Sequence, residues 1–112
     1  MRANEEDTVN QEIAKKRLSE RREQLVSQIG KIETHLAHPL EQDSQERSLQ
    51  VENDEVLVAL DEAGRAELDR ITQALARLDT GAYGTCVDCR GPIGEGRLQA
   101  VPYAERCIEC AE

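Results

Sequence analysis

The sequence has almost no aromatic residues. It contains no Phe and no Trp, and Tyr83 and Tyr103 are the only tyrosines among 112 residues. Charged residues make up 33% of the chain, so its core must be built from Leu, Ile, Val and Ala. This length leaves room for one compact unit or two very small ones, and the composition is typical of a pair of long helices.

Long hydrophobic runs are also missing. No stretch approaches the roughly 18 consecutive apolar residues that a membrane span requires. The first residues, Met1 to Asp7, include no apolar region of the kind found in a secretory signal. We therefore expect a cytoplasmic protein that does not enter the membrane.

Positive charge is scarce and unevenly distributed. The chain has 14 Lys and Arg against 23 Asp and Glu, for a net charge of -9. Phosphate contacts require a basic face, so this balance argues against direct, sequence-specific binding of nucleic acid. The acidic residues concentrate between positions 41 and 62, where Arg47 is the only basic residue. The main basic cluster comprises Lys15, Lys16, Arg17, Arg21 and Arg22.

Cysteine is absent from the first 85 residues, and four cysteines then occur in the last 27. They form two C-x2-C pairs, Cys86 with Cys89 and Cys107 with Cys110, separated by 17 residues. Such pairs can present four thiolates to one tetrahedral zinc ion. Two disulfides or four free core thiols are the alternatives, and the spacing favours zinc over both. With four protein ligands and no open position, a single Zn2+ would be structural.

Before the cysteines, apolar residues recur at helical spacing in two segments. The first segment runs from about Thr8 to Ala37 and the second ends at the Asp79-Thr80-Gly81 stop. A short link between them predicts an antiparallel pairing. The predicted apolar stripes are Val9, Ile13, Leu18, Leu25, Ile29, Ile32 and Leu36 in the first helix, and Leu49, Val56, Leu60, Ala63, Leu68, Ile71, Leu75 and Leu78 in the second.

The predicted fold is therefore mainly α: an antiparallel helical hairpin, or coiled coil, followed by a small C4 zinc finger. We expect a flexible tail at residues 1–8, the hairpin at 9–79 with its tip near 38–47, and the finger at 80–112. Pro39 ends the first helix, and either Asp43 or Ser44 can cap the second. No Ser or Cys nucleophile has a His placed to activate it, so we expect no enzyme.

The segment from Tyr83 to Cys110, YGTCVDCRGPIGEGRLQAVPYAERCIEC, closely resembles the C4 zinc finger of the DksA/TraR proteins. A helical hairpin directly before that finger extends the resemblance from about residue 9 to the end. The resemblance implies a transcription regulator that binds bacterial RNA polymerase. It also implies that the coiled-coil tip enters the secondary channel and modulates initiation without catalysis.

The family's tip motif, Asp-x-x-Asp-x-Ala, aligns with Asp43, Glu46 and Ser48, so the match is partial. The resemblance also suggests Arg70 as a weak contact for the alarmone ppGpp. A second cation expected after the last cysteine is replaced by Ala111, and we therefore do not expect ppGpp to bind firmly.

Two functions of different classes remain after these observations. One is the zinc-binding regulator of RNA polymerase that the resemblance implies. The other is a non-enzymatic coiled-coil adaptor or structural module whose base is clamped by zinc. We expect the chain to be a monomer.

Overall fold

The computed structural model describes residues 5–111, with side chains from Asn10 onward. Helix α1 spans Glu5–Leu36, helix α2 spans Ser44–Thr80, and the short helix α3 spans Glu95–Ala100. Over this range there is no strand, only an isolated bridge between Thr85 and Pro92. The prediction of a mainly α protein is confirmed.

The chain divides into two compact units, and each long helix contributes to both. The first unit comprises the chain up to Arg22 together with Asp69 and all that follows, and the second comprises Glu23–Leu68. The zinc-finger segment therefore belongs to the first unit, and the link between α1 and α2 belongs to the second.

In the first unit, both long helices bury small or branched aliphatic side chains. Ala14 and Leu18 are buried on α1, and Ile71 and Ala74 are buried on α2. Two arginines join these helices to the finger segment through backbone carbonyls. Arg17 Nη1 donates to the carbonyl of Gln99 at 2.9 Å, and Arg77 Nη2 donates to that of Tyr103 at 3.3 Å.

In the second unit, the α1 residues Leu25, Ile29 and Ile32 are buried. Gly64 of α2 lies against two of them, because a Cβ placed on it would be 3.6 Å from Ile29 Cγ1 and 3.8 Å from Leu25 Cδ2. An ion-pair network also crosses between the two helices. Arg65 contacts Glu33 of α1, and its Nε lies 2.9 Å from Asp61 Oδ2 of α2.

The end of α2 agrees with the predicted glycine stop. Helix α2 ends at Thr80, and Gly81 follows with a φ of 78°. The N–H of Ala82 donates to the carbonyl of Arg77 at 2.9 Å, which satisfies one of the helix's last free acceptors.

The start of α1 differs from prediction, since its backbone is helical from Glu5, inside the predicted tail of residues 1–8. A formed helix gains a hydrogen bond with each added residue, so it can extend beyond its buried stripe. Residues 1–4 of that tail lie outside the described chain.

The predicted apolar stripe of α2 is wrong in its first half. Leu49, Val56 and Leu60 are 58%, 60% and 46% exposed. In the second half of α2, Glu67, Ala74 and Arg77 are partly or fully buried. Along the whole helix, nine other positions that are at least partly buried follow one unbroken alternation of four and three residues: Gln50, Asp54, Leu57, Asp61, Gly64, Leu68, Ile71, Leu75 and Leu78. We call these nine residues the α2 seam. The predicted stripe contained a five-residue step between Ala63 and Leu68, which a regular helix pair cannot follow on one face.

Helix α1 requires a smaller correction. Leu18, Leu25, Ile29 and Ile32 are buried as predicted, but Ile13 is 53% exposed. Ala14 takes the inward position, four residues before Leu18 and so on the same helical face. The side chain of Val9 lies outside the described part of the protein.

None of the helices in residues 5–111 combines the length and apolar character needed to cross a bilayer.

Candidate metal centre and acidic tip

The structure brings the four cysteines into one cluster. Their Sγ atoms all lie within 4.8 Å of one another, and those of Cys89 and Cys107 are 3.8 Å apart. Four sulfurs bound tetrahedrally to zinc at about 2.3 Å would be separated by about 3.8 Å. A disulfide needs an S–S distance of about 2.05 Å, and all four cysteines are free thiols. The donor set therefore fits one Zn2+, as the sequence predicted.

The first knuckle wraps its backbone around the metal position. The N–H of Cys86 donates to the carbonyl of Gly91 at 2.8 Å, and the N–H of Arg90 donates back to the carbonyl of Cys86 at 3.0 Å. The N–H of Gly91 points at Cys89 Sγ at 3.4 Å. Arg90 adopts a φ of 64° to close this turn. Two thiols three residues apart thus face the same point.

Ionisation of the cysteines differs across the cluster. Backbone N–H groups, first that of Cys89 and then that of Cys107, lower the pKa of Cys86 to about 6. Hydrogen bonds among the thiols, above all with Cys107, raise the pKa of Cys110 to about 12. One thiolate therefore forms readily, whereas further negative charge is disfavoured by its neighbours. A divalent cation supplies the charge that lets all four sulfurs ionise together.

A small apolar core supports the metal cluster. Cys86 is fully buried with Ile93 and Ala104, and Leu98 and Val101 pack against this group. Gly84 has a φ of 83°, and a Cβ added there would be 3.5 Å from Leu98 Cδ1. Because this core contains so few side chains, the metal must provide much of the finger's stability.

Polar contacts also connect the two knuckles. The N–H of Val87 donates to the carbonyl of Glu105 at 2.9 Å. Arg106 Nε donates to Asp88 Oδ2 at 2.7 Å, and its Nη1 donates to Glu105 Oε1 at 2.7 Å. The hydrogen bond and charge of Asp88 raise the pKa of Arg106 above its ordinary value. Arg106 therefore remains a cation that holds the segments around both cysteine pairs together.

Tyr83 anchors the entry to the finger. Its hydroxyl donates to the carbonyl of Pro102 at 2.8 Å, across 19 residues of sequence. Burial is the main cause that raises the pKa of Tyr83, and the nearby charges of Arg17 and Arg77 act in the opposite direction. The ring is thus used in packing, and its hydroxyl remains a proton donor.

At the predicted tip, the structure identifies Asp43 as the N-cap of α2. Its Oδ1 accepts hydrogen bonds from the N–H groups of Gln45 at 3.0 Å and Glu46 at 3.1 Å. These are the second and third helical positions, the two donors that an N-cap side chain normally satisfies. Of the two candidate caps, Asp43 or Ser44, Asp43 therefore performs this role.

Two further side chains hold the link between the helices through contacts that the sequence did not predict. Arg47 donates through Nε to the carbonyl of Glu41 and through Nη2 to that of Gln42, both at 2.9 Å. Gln50 donates to the carbonyl of Pro39 at 3.2 Å and accepts from the N–H of Glu41 at 2.8 Å. A loop with four carbonyl or amide groups bound in this way has few alternative conformations.

The other predicted tip residues lie in the first turns of α2. Glu46 is exposed, at a position where a carboxylate complements the positive end of the helix dipole. Ser48 is exposed too, and its hydroxyl donates back to the carbonyl of Ser44 at 3.0 Å. The group that distinguishes Ser48 from alanine is therefore bonded to its own helix.

Arg70, the predicted alarmone contact, lines a cavity of 280 Å3 in the first unit. Three arginines that the sequence analysis did not connect with it line the same cavity: Arg77, Arg97 and Arg106. Ala111, the residue after the last cysteine, also contributes to the wall. The four arginines come from helical and finger segments far apart in sequence, so spacing alone could not reveal their proximity.

Comparisons with known proteins match nearly the whole chain. Residues 14–78 match the family model for the DnaK suppressor protein-like N-terminal domain, and residues 81–112 match the prokaryotic dksA/traR C4-type zinc finger. Among solved structures, transcription factor DksA2 from Pseudomonas aeruginosa is similar, with a TM-score of 0.75 and 31% identity over 92% of this chain and 81% of that one. The DnaK suppressor protein from Agrobacterium tumefaciens C58 has a TM-score of 0.62 and 43% identity over 89% of both chains.

Curated relatives include two proteins named RNA polymerase-binding transcription factor DksA. The one from Haemophilus influenzae is 30% identical over 90 residues, covering 79% of this chain and 62% of the relative. The one from Caulobacter vibrioides is 42% identical over 48 residues, covering 43% and 34%. The chain thus spans less than two thirds of the length of these relatives. With both family models matched and the four cysteines clustered, the chain belongs to the DnaK suppressor protein-like family with a dksA/traR C4-type zinc finger.

Proposed function

We propose that this protein binds bacterial RNA polymerase and modulates transcription initiation without catalysing a reaction. Two relatives carry the name RNA polymerase-binding transcription factor, which supports this partner. Polymerase acts in the cytoplasm, so we propose the same location for this chain. Zinc holds the finger, and the finger with the neighbouring helix ends docks on the polymerase surface.

The tip is proposed to enter the secondary channel of the enzyme. The observation that supports this proposal is the acidic turn at Asp43 and Glu46, fixed by the Asp43 cap and by the side chains of Arg47 and Gln50. A loop ordered before binding loses less conformational entropy when it enters a narrow channel. Carboxylate oxygens are preferred partners of Mg2+, so acidic groups there can perturb the metal region or the mobile elements beside it.

The altered tip motif is compatible with this role. Ser48 replaces the family's alanine, but its hydroxyl is satisfied by Ser44 of the same helix. Glu46 replaces an aspartate and keeps the negative charge on an exposed side chain. We therefore propose that Asp43, Glu46 and Ser48 together form the regulatory tip.

We also propose that regulation does not require ppGpp. Of the arginines that line the cavity beside Arg70, Arg77 donates to Tyr103, Arg97 donates to the carbonyl of Arg106, and Arg106 pairs with Asp88 and Glu105. The carboxylates of Asp88 and Glu105 partly neutralise Arg106, Glu105 also lies 4.0 Å from Arg77, and Ala111 offers a phosphate no charge. Arg70 alone provides a weak contact.

The test combines binding and proximity measurements with purified bacterial RNA polymerase. The zinc-loaded chain should bind the enzyme as a monomer, and a photo-reactive side chain at exposed Ser48 should cross-link to residues that line the secondary channel. Cross-links confined to the outer surface would contradict the channel mechanism while leaving polymerase binding intact. Absence of polymerase binding would favour the adaptor function.

A further inference from the structure

The tip half of α2 exposes apolar residues where a solvated helix normally carries polar ones. Leu49, Val56 and Leu60 are all about half exposed or more, at 58%, 60% and 46%. At about 100° per residue, these three side chains lie within an arc of about 40° on α2. We call them the outer stripe. It lies about 100° around the helix from the α2 seam.

The α2 seam itself is unusually polar next to this stripe. Asp54 and Asp61 occupy seam positions, and one carboxylate oxygen of each is buried without a hydrogen-bond partner among the described residues. When a helix packs within its own chain, its aliphatic side chains normally face inward and its acidic side chains face solvent. In this part of α2 the aliphatic outer stripe is exposed and two acids occupy the seam, which is the reverse. Packing within this part of the chain therefore does not account for the outer stripe.

Charge around the outer stripe identifies the chemistry of its partner. From Ser48 to Gly64 the chain has five acidic residues and no Lys, Arg or His. Glu52 lies beside the stripe on the side away from the seam, and Glu55 and Glu62 follow further around; all three are exposed. An apolar strip with an acidic border complements a helix that has an apolar strip and a basic border.

The same charges argue against other occupants. An anionic membrane surface or a nucleic acid would be repelled by the acidic border. A second copy meeting stripe to stripe would bring the three exposed acidic residues beside the stripe, Glu52, Glu55 and Glu62, close to the same three of the other copy. We therefore infer that the outer stripe, Leu49, Val56 and Leu60, with its acidic border is a docking surface for a basic amphipathic helix of a partner protein.

A designed peptide tests this inference on the full zinc-loaded chain. The probe is a peptide of about 18 residues, or five turns, with Leu on one face and Lys elsewhere. Its binding should shift the backbone amide resonances of residues 49–62. A scrambled peptide of the same composition, in which Leu is not confined to one face, should bind at least about fivefold more weakly if apolar contact contributes.

Matched variants locate the surface. Val56→Gln should weaken binding of the Lys peptide by about fivefold or more, whereas Val26→Gln, at a site that is 54% exposed on α1, should change it by less than about twofold. As a second measurement, the double variant Glu52→Lys with Glu55→Lys should bind the Lys peptide more weakly than the wild type does. It should bind a peptide with Glu in place of Lys more tightly. Circular dichroism should show that each variant keeps its helices.

Three outcomes would overturn the inference. Equal binding of the ordered and scrambled peptides would indicate simple charge attraction. Resonance shifts outside residues 49–62, or equal effects of Val56→Gln and Val26→Gln, would place binding elsewhere. A homodimer that sedimentation detects in the wild-type chain and that Val56→Gln abolishes would assign the stripe to a second copy. None of these experiments involves RNA polymerase, so they are independent of the proposed function.

Discussion

Asp43 and Glu46 are joined by a hydrogen bond at the start of α2, in which the N–H of Glu46 donates to Asp43 Oδ1 at 3.1 Å. The two acidic residues of the proposed tip therefore have different structural roles. Asp43 caps the helix, and Glu46 presents an exposed carboxylate in its first turn. A variant of Asp43 must preserve the cap if it is to report on charge alone.

Asparagine should replace Asp43 with little loss of stability, because its side-chain oxygen is an equally good N-cap. Asp43→Ala should lower the free energy of unfolding by about 1 kcal/mol, since two backbone donors lose their acceptor. Urea denaturation followed by circular dichroism would measure both variants. If the Ala variant were as stable as the Asn variant, the cap would contribute nothing.

Gly64→Ala should stabilise the protein by about 0.5–1 kcal/mol. The added methyl group would be in ordinary van der Waals contact with Ile29 and Leu25, at 3.6 and 3.8 Å, and Ala is the better helix former. Thermal unfolding would measure the gain. Gly30→Ala is the matched control because its Cβ would meet nothing within 4 Å, so it should show the propensity effect alone.

A glycine in the finger should respond in the opposite direction. Gly84 has a φ of 83°, a region that alanine adopts only with strain. Gly84→Ala should therefore lower the thermal stability of the finger. An unchanged melting temperature would show that this turn can relax, contrary to the conformation described.

Removal of zinc should unfold the finger. Structural zinc sites typically contribute about 10 kcal/mol or more, and the supporting core here is limited to Ile93, Ala104 and their few neighbours. A chelator should collapse the NMR amide dispersion of residues 81–111, and restoring zinc should recover it. Retained dispersion and an unchanged melting temperature would contradict a structural metal site.

Tyr83→Phe should destabilise the finger by about 1 kcal/mol, because the carbonyl of Pro102 loses its donor at 2.8 Å. Amide hydrogen exchange in the finger would report the change. Tyr103→Phe is the control, since the structure shows no hydroxyl hydrogen bond for Tyr103 in residues 10–111. Equal effects from the two substitutions would point to packing and not to the hydrogen bond.

The zinc site could be predicted from sequence because its ligands are adjacent pairs with a chemically defined spacing. The Gly81 stop and the pair of candidate caps at positions 43 and 44 were likewise local signals. The α2 seam could not be predicted from local signals. Regular packing along the helix determines which positions face inward, and it leaves the apolar residues Leu49 and Val56 exposed. The arginines around Arg70 and the loop contacts of Arg47 depend on tertiary structure, which no spacing rule contains.

The most direct test of the central claim separates polymerase binding from the regulatory effect of the tip. Wild type and Asp43→Asn would be titrated against purified bacterial RNA polymerase, and the lifetime of promoter complexes would be measured at saturation. We predict that the two proteins bind with affinities within about twofold, a difference of about 0.4 kcal/mol, and that only the wild type changes the lifetime. An identical effect from both would contradict a role for the Asp43 charge, and the absence of polymerase binding by wild type would contradict the proposed function itself.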